Sequence, residues 1–170
     1  MPEVKLFIAT SLEGFIADRD GGVDWLFTDG DYGYSAFFDS IEILIMGRRT
    51  YEQVLGFGEW PYGEKPTYVF TRSAPGGDHP HVKFVSVDAG TLVEDLRRRF
   101  SGDIWLVGGA ALVSAFRELR LIDEYILSVH PVLLGDGIPL FERPLPRESL
   151  RLREERSFQG GLVQLRYAAD

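Results

Sequence analysis

The 170-residue sequence predicts an α/β fold: a mainly parallel central sheet flanked by helices, with an antiparallel C-terminal hairpin. Three observations predict it. Short apolar runs bounded by turn residues alternate along the chain with segments of helical periodicity. Two of those runs, IEILIM (41–46) and IWLV (104–107), are nearly free of polar residues, which suits central strands covered on both faces. The final stretch, LRLREERSFQGGLVQLRYA (150–168), reads as two strands around a Gly-Gly turn. One domain, residues 1–170, accommodates the chain, since neither a linker nor a repeat divides it.

Taken in order, Val4 to Thr10 (VKLFIAT) is a buried strand. The Gly- and Asp-rich SLEGFIADRDGGVDW that follows is a loop. Tyr34 to Ser40 is a short aromatic helix, and Ile41 to Met46 is a strand. GRRTYEQVLGF winds into a helix after Gly47, and Thr67 to Thr71 and Val82 to Val87 are strands. Thr91 to Phe100 is an amphipathic helix with Leu92, Val93, Leu96 and Phe100 on one side. Ile104 to Val107 is a strand that passes through Gly108 and Gly109 into a helix, Ala110 to Leu119. Asp123 to Leu134 is a long β-rich run that precedes the hairpin.

Composition narrows the function classes. Apolar residues make up 45% of the chain, enough for a packed core. The net charge of −8, from 18 Lys+Arg against 26 Asp+Glu, disfavours nucleic acid or an anionic membrane as partner. No apolar run approaches the roughly 18 residues that cross a bilayer. The start, MPEVKLFIAT, lacks the basic segment of a signal peptide, so the expected location is the cytoplasm. With no cysteine there is neither a disulfide framework nor a thiolate site. His79 and His81 share a Pro/Gly-rich loop with no third ligand, so no metal is expected.

In open α/β sheets ligands sit outside the carboxyl ends of the strands. Three such ends carry chemistry. IEILIM is followed by Gly47, Arg48, Arg49 and Thr50, TYVFT by Arg72 and Ser73, and IWLV by Gly108, Gly109, Ala110 and Ala111. A helix N-terminus offers unpaired N–H groups and partial positive charge to a phosphate. Arginine adds paired donors that match phosphate oxygens. The alternatives are a tight structural turn at Gly108–Gly109 and a solvated surface pair at Arg48 and Arg49. Neither a GxGxxG nor a P-loop pattern occurs.

LIMGRRTYE, YVFTR, WLVGGAAL and DEYILSVHPVLLGDGIPLF, in that order, resemble the dihydrofolate reductase superfold and its three-layer architecture. They are most similar to the branch related to the reductase domain of riboflavin biosynthesis, the RibD C-terminal domain-like proteins, and the opening SLEGFIADRDGGVDWL resembles the same branch. The resemblance runs from Val4 to the final strand. It implies NADPH as cofactor and reduction of a pterin or a related ribosyl-aminopyrimidine, in folate- or riboflavin-related metabolism. It implies cofactor contacts at Gly47, Arg48, Arg49 and Thr50, at Thr71, Arg72 and Ser73, and at Val107, Gly108, Gly109, Ala110, Ala111 and Leu112. In the family the two glycines are joined by a cis peptide. Ile8 and Ala9 match first-strand positions near the nicotinamide, Ile16 and Ala17 lie across from them in a mobile loop, and Trp25 matches a tryptophan beside the substrate. The branch is commonly dimeric, so a homodimer is expected.

The resemblance also places candidate catalytic groups. Asp31 lies near the carboxylate that holds the pterin ring in true dihydrofolate reductases; its other reading is a helix cap or turn residue. Ser128 matches a hydroxyl beside the substrate. His130 follows on the same strand face, either as a proton donor or as a satisfied core histidine. Phe37, Phe38 and Trp60 are candidates for enclosing a flat ring or for plain core. No arginine suits a folate tail, so classical dihydrofolate reduction is not the expected activity. The expected reaction is hydride transfer to a C=N or C=O carbon of a small flat substrate. A non-catalytic nucleotide- or metabolite-binding module on the same fold is the alternative.

Overall fold

Ile43 and Ile45 pack into one apolar layer, while Leu44 and Met46, between and beside them, pack into another. A strand whose alternate side chains are buried on both sides must lie inside a three-layer structure. The computed structural model, which describes residues 1–73 and 79–170, has that architecture.

The elements in chain order are β1 (Val4–Thr10), β2 (Phe15–Ala17), α1 (Tyr34–Ser40), β3 (Ile41–Gly47), α2 (Arg48–Gly56), β4 (Thr67–Phe70) and β5 (Val82–Val85). They continue with α3 (Ala89–Arg99), β6 (Asp103–Gly108), α4 (Ala110–Glu118), β7 (Glu124–Val129), β8 (Ile138–Pro139), β9 (Leu150–Ser157) and β10 (Val163–Ala169). The eight-stranded sheet has the order β5-β4-β3-β6-β1-β7-β10-β9. Pairings from β5 through to β7 are parallel; β10 joins β7, and β9 joins β10, antiparallel. The terminal hairpin therefore forms an antiparallel edge on a parallel sheet.

The helices divide between the faces. Leu92, Val93 and Leu96 of α3 and Val113 and Phe116 of α4 pack with Leu6, Ile43, Ile45 and Leu106. Phe37 of α1 and Tyr51 and Val54 of α2 pack with Leu44, Met46, Val69 and Trp105. Helix α3 is defined at both ends by sequence. Asp88 accepts the Thr91 N–H at 2.9 Å as its cap, and Arg97, Arg98 and Arg99 fill its last turn, where cations favour the helix dipole.

Two features differ from the sequence expectation. The first loop contains a short strand, β2, paired antiparallel with β8 in a separate two-stranded sheet. The run expected to be β-rich from Asp123 to Leu134 stops as a strand at Val129, because Pro131 cannot continue the ladder.

The amino ends of the strands hold an ionic cluster. The Glu124 side chain is 0% exposed; it accepts from Arg166 at 2.6 and 3.1 Å and from Arg153 at 3.1 Å. Lys5 Nζ lies 3.6 Å from Glu124 and 2.8 Å from Asp103. Burial would raise the Glu124 carboxyl, but the Arg166 hydrogen bond and the charges of Arg166, Lys5 and Arg153 hold it below its ordinary value.

Candidate active site

The carboxyl ends of β3 and β6 lie side by side, with Met46 opposite Gly108 in the ladder. Each end runs directly into a helix, α2 after Gly47 and α4 after Gly109. Neither helix start has a side-chain cap, so its first N–H groups are without side-chain partners. The backbones are close. A Cβ on Gly47 would stand 3.8 Å from Gly108 O and 3.9 Å from Gly109 N, and one on Gly109 would stand 3.5 Å from Thr50 Oγ1. Gly108 has φ +126 and lies 3.6 Å (from an ideal Cβ) from the end of Ile8. The Gly108–Gly109 peptide is cis. Thus Ile8, Gly47, Thr50, Gly108 and Gly109, named separately from sequence, form one cradle.

Arginine reaches the rim of this cradle. Arg48 Nη1 donates to Ser73 Oγ at 2.9 Å, and its Nε to Glu52 at 2.9 Å. Thr71 Oγ1 accepts the Ser73 N–H at 3.3 Å, so the turn that presents Ser73 is locally fixed. Arg49 and Arg72 are exposed, and among the described residues neither forms an ion pair within 4.0 Å. Val107, Ala110 and Leu112 pack into the core and hold α4 in place, whereas Ala111 is exposed on its first turn.

On the other side of β1 lies a cavity of about 300 Å³. Aromatic rings dominate its walls: Phe7 from β1, and Phe27, Tyr32 and Tyr34 from the segment before and into α1. Ala9, Ser128 and His130 line it from the strand ends, and Asp31 from the loop. A shallower groove of about 520 Å³ sits at the opposite end, against Ile41, Glu42 and Gly102. There the Glu42 carboxylate is already engaged by the N–H groups of Ser101 and Gly102, and no strand presents its carboxyl end. The chemistry-bearing cavity is the smaller one.

Asp31 combines both sequence readings. Its carboxylate accepts the Ser35 N–H at 3.1 and 3.2 Å and the Ser35 hydroxyl at 2.5 Å, anchoring the start of α1. It also opens onto the cavity. Tyr34, beside it, has its hydroxyl pushed up by burial and by the Asp31 charge, so it stays a neutral O–H donor.

His130 is 3% exposed, and both ring nitrogens are engaged by main chain. Nε2 accepts the Phe27 N–H at 3.2 Å, which leaves Nδ1 as the protonated nitrogen, donating to Ser128 O at 3.0 Å. The ring touches the cavity but has no free nitrogen to offer; its geometry is that of the satisfied core histidine rather than of a proton donor.

The remaining aromatic candidates lie outside the lining. Trp25 packs edge-on to His130 at 5.3 Å, behind the wall. Phe37 is core, stacked on Phe7 at 4.3 Å. Phe38 stacks on Tyr34, and the Lys65 ammonium lies over the Phe38 ring, 4.7 Å from its centroid. Trp60 joins Tyr51, Tyr62 and His79 in a separate aromatic group. Ile16 packs against the main core, and its loop is strapped down: Leu134 and Gly135 N–H donate to Glu13 at 2.9 and 2.8 Å, and Leu12 N–H to Val132 O at 3.0 Å. The sequence reading missed Phe7, Phe27, Tyr32 and Tyr34 of the lining, and Gln164, whose Nε2 donates to Ser128 Oγ at 3.2 Å. Alternation along β1 was the available signal, since it puts Phe7 on the same face as Ala9. Among the described residues no group of three or more His, Cys, Asp or Glu is placed to hold a metal, and no helix is long and apolar enough to cross a membrane.

A family model, the RibD C-terminal domain, matches residues 60–163. The chain is 42% identical over 166 residues to the uncharacterized protein YwjB of Bacillus subtilis (strain 168), covering 95% of each. It is 36% identical to YyaP of the same organism, over 96% of this chain and 93% of that one. Among solved structures it is similar to a putative riboflavin biosynthesis protein from Shewanella sp. PV-4, with a TM-score of 0.89, 29% identity and 99% of each chain covered. A Thermotoga maritima diaminohydroxyphosphoribosylaminopyrimidine deaminase/5-amino-6-(5-phosphoribosylamino)uracil reductase shares the fold, with a TM-score of 0.77 and 18% identity over 99% of this chain and 57% of that one.

Proposed function

Because the chain belongs to the RibD C-terminal domain family, we propose that it is an NADPH-dependent oxidoreductase acting on a small pterin-like or ribosyl-aminopyrimidine-like heterocycle. One observation carries the reading: neighbouring residues of β1 border two sites at once. Ile8 stands against Gly108 in the glycine cradle, while Phe7 and Ala9 line the aromatic cavity. A dinucleotide in the first and a ring in the second are one strand apart.

The residues present fit such a cofactor. The uncapped starts of α2 and α4 offer N–H groups to a pyrophosphate, and bare glycine backbone permits its close approach. Thr50 adds a hydroxyl beside Gly109. Arg48, with Arg49 and Arg72, supplies cations in an otherwise acidic chain, which favours the 2′-phosphate of NADPH. When bound, a nicotinamide cofactor supplies hydride. The chain's own part is to hold the acceptor ring flat, exclude water and pass one proton to the heteroatom of the bond reduced. Asp31, open to both cavity and solvent, is the group assigned to that proton, with Ser128 hydrogen-bonded to the ring.

The reading includes a cytoplasmic homodimer. Every residue of the edge strand β9 is exposed, Leu152 at 52%, and sedimentation would read the mass.

Thermal melting with NADPH, with NADH and without ligand tests the cofactor. A ligand at roughly 100 times its Kd raises stability by about 2.7 kcal/mol. No shift with either cofactor sinks the proposal. Binding without NADPH oxidation across a panel of flat heterocycles would instead favour the non-catalytic module.

A further inference from the structure

We propose that Gln164 is a positioning residue of this site: it holds the turn that carries Asp31 and directs the hydroxyl hydrogen of Ser128 into the cavity. This role rests on the reductase reading above. Gln164 is not itself among the lining residues, so it acts through its neighbours.

The register of the sheet creates the arrangement. Ala9 pairs with Ser128 across β1 and β7, Ser128 with Gln164 across β7 and β10, and Gln164 with Arg156 across β10 and β9. Side chains directly opposite one another in a sheet share a face. One polar row, Ser128–Gln164–Arg156, therefore runs from the cavity to the edge of the sheet. Its inner end is 6% exposed at Ser128, and its outer end, Arg156, is open to solvent.

The orientation of the Gln164 amide follows from both of its sides. Nε2 lies 3.1 Å from Tyr32 O and 3.2 Å from Ser128 Oγ. A carbonyl only accepts, so the atom facing Tyr32 must be the nitrogen. On the other side, a Cβ at Gly33 would stand 3.5 Å from both Gln164 Oε1 and Arg156 Nη1, and 3.9 Å from Nε2. The amide oxygen thus faces the region of a guanidinium, and that cation disfavours the reversed amide. Arg156 is itself held over the Phe158 ring, 4.9 Å from its centroid.

Two consequences reach the chemistry. An amide nitrogen has two hydrogens, and both are spent here. Ser128 Oγ accepts one of them, which leaves the serine hydrogen for a partner in the cavity. Tyr32 O accepts the other. Tyr32 is a non-glycine residue at φ +50, a conformation that a bulky side chain adopts only where its surroundings impose it. Asp31 precedes it, and Gly33, at φ 81, caps α1 after it. By holding the Tyr32 carbonyl, Gln164 fixes the place of Asp31, the group assigned the proton.

The test uses the intact protein and three substitutions. Gln164→Met keeps the length and removes both donors. Gln164→Glu keeps the shape and, when ionised, only accepts, so the Ser128 hydrogen would turn back toward it. Ser128→Ala removes one of the two groups acted on. The probes are a dihydropterin and a phosphoribosylaminopyrimidine, each with NADPH. For the probe that the wild type reduces, Gln164→Met should raise KM by roughly tenfold, with the NADPH Kd unchanged to within about twofold. In the Ser128→Ala background the same substitution should cost less, because part of its effect is already lost. Gln164→Glu should be worse than Gln164→Met at alkaline pH and should recover as pH falls, since the protonated acid regains a donor. Asp31, Tyr32, Tyr34, His130 and Arg156 surround the position in both variants, with Arg166 further along β10, so their own titration cancels in the ratio. Equal, pH-independent losses in the two Gln164 variants, or full additivity with Ser128→Ala, would overturn the inference.

Hydrogen exchange reads the same role without turnover. The Tyr34 and Ser35 N–H groups bond back to Asp31. Gln164→Met should speed their exchange by about tenfold, while the Val113 N–H, bonded to Gly109 O in α4, keeps its rate. Unchanged exchange at Tyr34 and Ser35 overturns the inference whatever the kinetics. Faster exchange there, in a protein that reduces neither probe, leaves Gln164 holding the turn and removes the reductase reading.

Discussion

His130 holds Phe27: its Nε2 accepts the Phe27 main-chain N–H at 3.2 Å, while Nδ1 donates to Ser128 O at 3.0 Å. The ring thereby fastens an aromatic wall of the cavity to the end of β7. His130→Ala leaves the Phe27 N–H unpaired, at a cost of about 1–3 kcal/mol. The expected kinetic effect is a raised KM with kcat changed less than tenfold, and faster hydrogen exchange at Phe27. His130→Gln, which can still accept, should recover part of both. A fall in kcat of the roughly 100-fold or more typical of a lost general acid would show that the ring does transfer a proton.

Gly47 faces the Gly108–Gly109 backbone with room for a methyl group, since its Cβ would stand 3.8 Å from Gly108 O. Its own backbone, φ −79 and ψ 164, is open to any residue. Gly47→Ala should therefore change stability by less than about 1 kcal/mol. It should nevertheless reduce the NADPH-induced thermal shift, because the methyl occupies the approach to both helix starts. A full-sized shift in this variant would move the pyrophosphate away from the cradle.

Arg48 is already oriented by Ser73 and Glu52, whereas Arg49 and Arg72 extend into solvent. A pre-positioned guanidinium loses less freedom on binding a phosphate. Of the three alanine variants, Arg48→Ala should lower the preference for NADPH over NADH most, by about tenfold or 1.4 kcal/mol. Titration of each variant with both cofactors reads the ratio. An unchanged ratio in all three would place the 2′-phosphate elsewhere.

The parts of this site that were legible in the sequence are those in which a local pattern changes. Gly47 and Gly108–Gly109 mark the points where a period of two gives way to a period of 3.6, and topology then brings them together. The bounds of β1, α1 and the terminal hairpin follow from patterns of the same kind. What stayed hidden depends on main-chain partners far away. Nothing local to His130 announces an N–H of Phe27, 103 positions earlier, and nothing local to Ser128 announces Gln164. Strand β2 escaped notice because three residues paired with Ile138–Pro139 carry too little alternation to read. Phe37 and Phe38 are aromatic and sit near the cavity in sequence, but one turns into the core and the other toward Tyr34 and Lys65. Aromatic composition alone does not distinguish a wall from a core.

The last prediction concerns acid stability. Glu124 is enclosed by Arg166, Arg153 and Lys5, and these hold its carboxyl below the ordinary 4.5 despite burial. The unfolded chain therefore binds this proton more tightly than the folded one. The stabilisation is fully present above the unfolded value and is lost as pH falls through the folded one. Glu124→Gln leaves three cations around a neutral amide and should cost ~3 kcal/mol near neutral pH. The gap between the wild type and the variant should then narrow as denaturation is repeated below about pH 4.5. Asp88, Asp95 and Glu13, also held low by their hydrogen bonds, titrate in both proteins and largely cancel in that difference. Asp103 shares Lys5 with Glu124, so it can couple to the substitution, and Asp103→Asn in both backgrounds measures that coupling. A gap that stays constant down to strongly acid pH would mean that the cluster contributes through packing rather than charge.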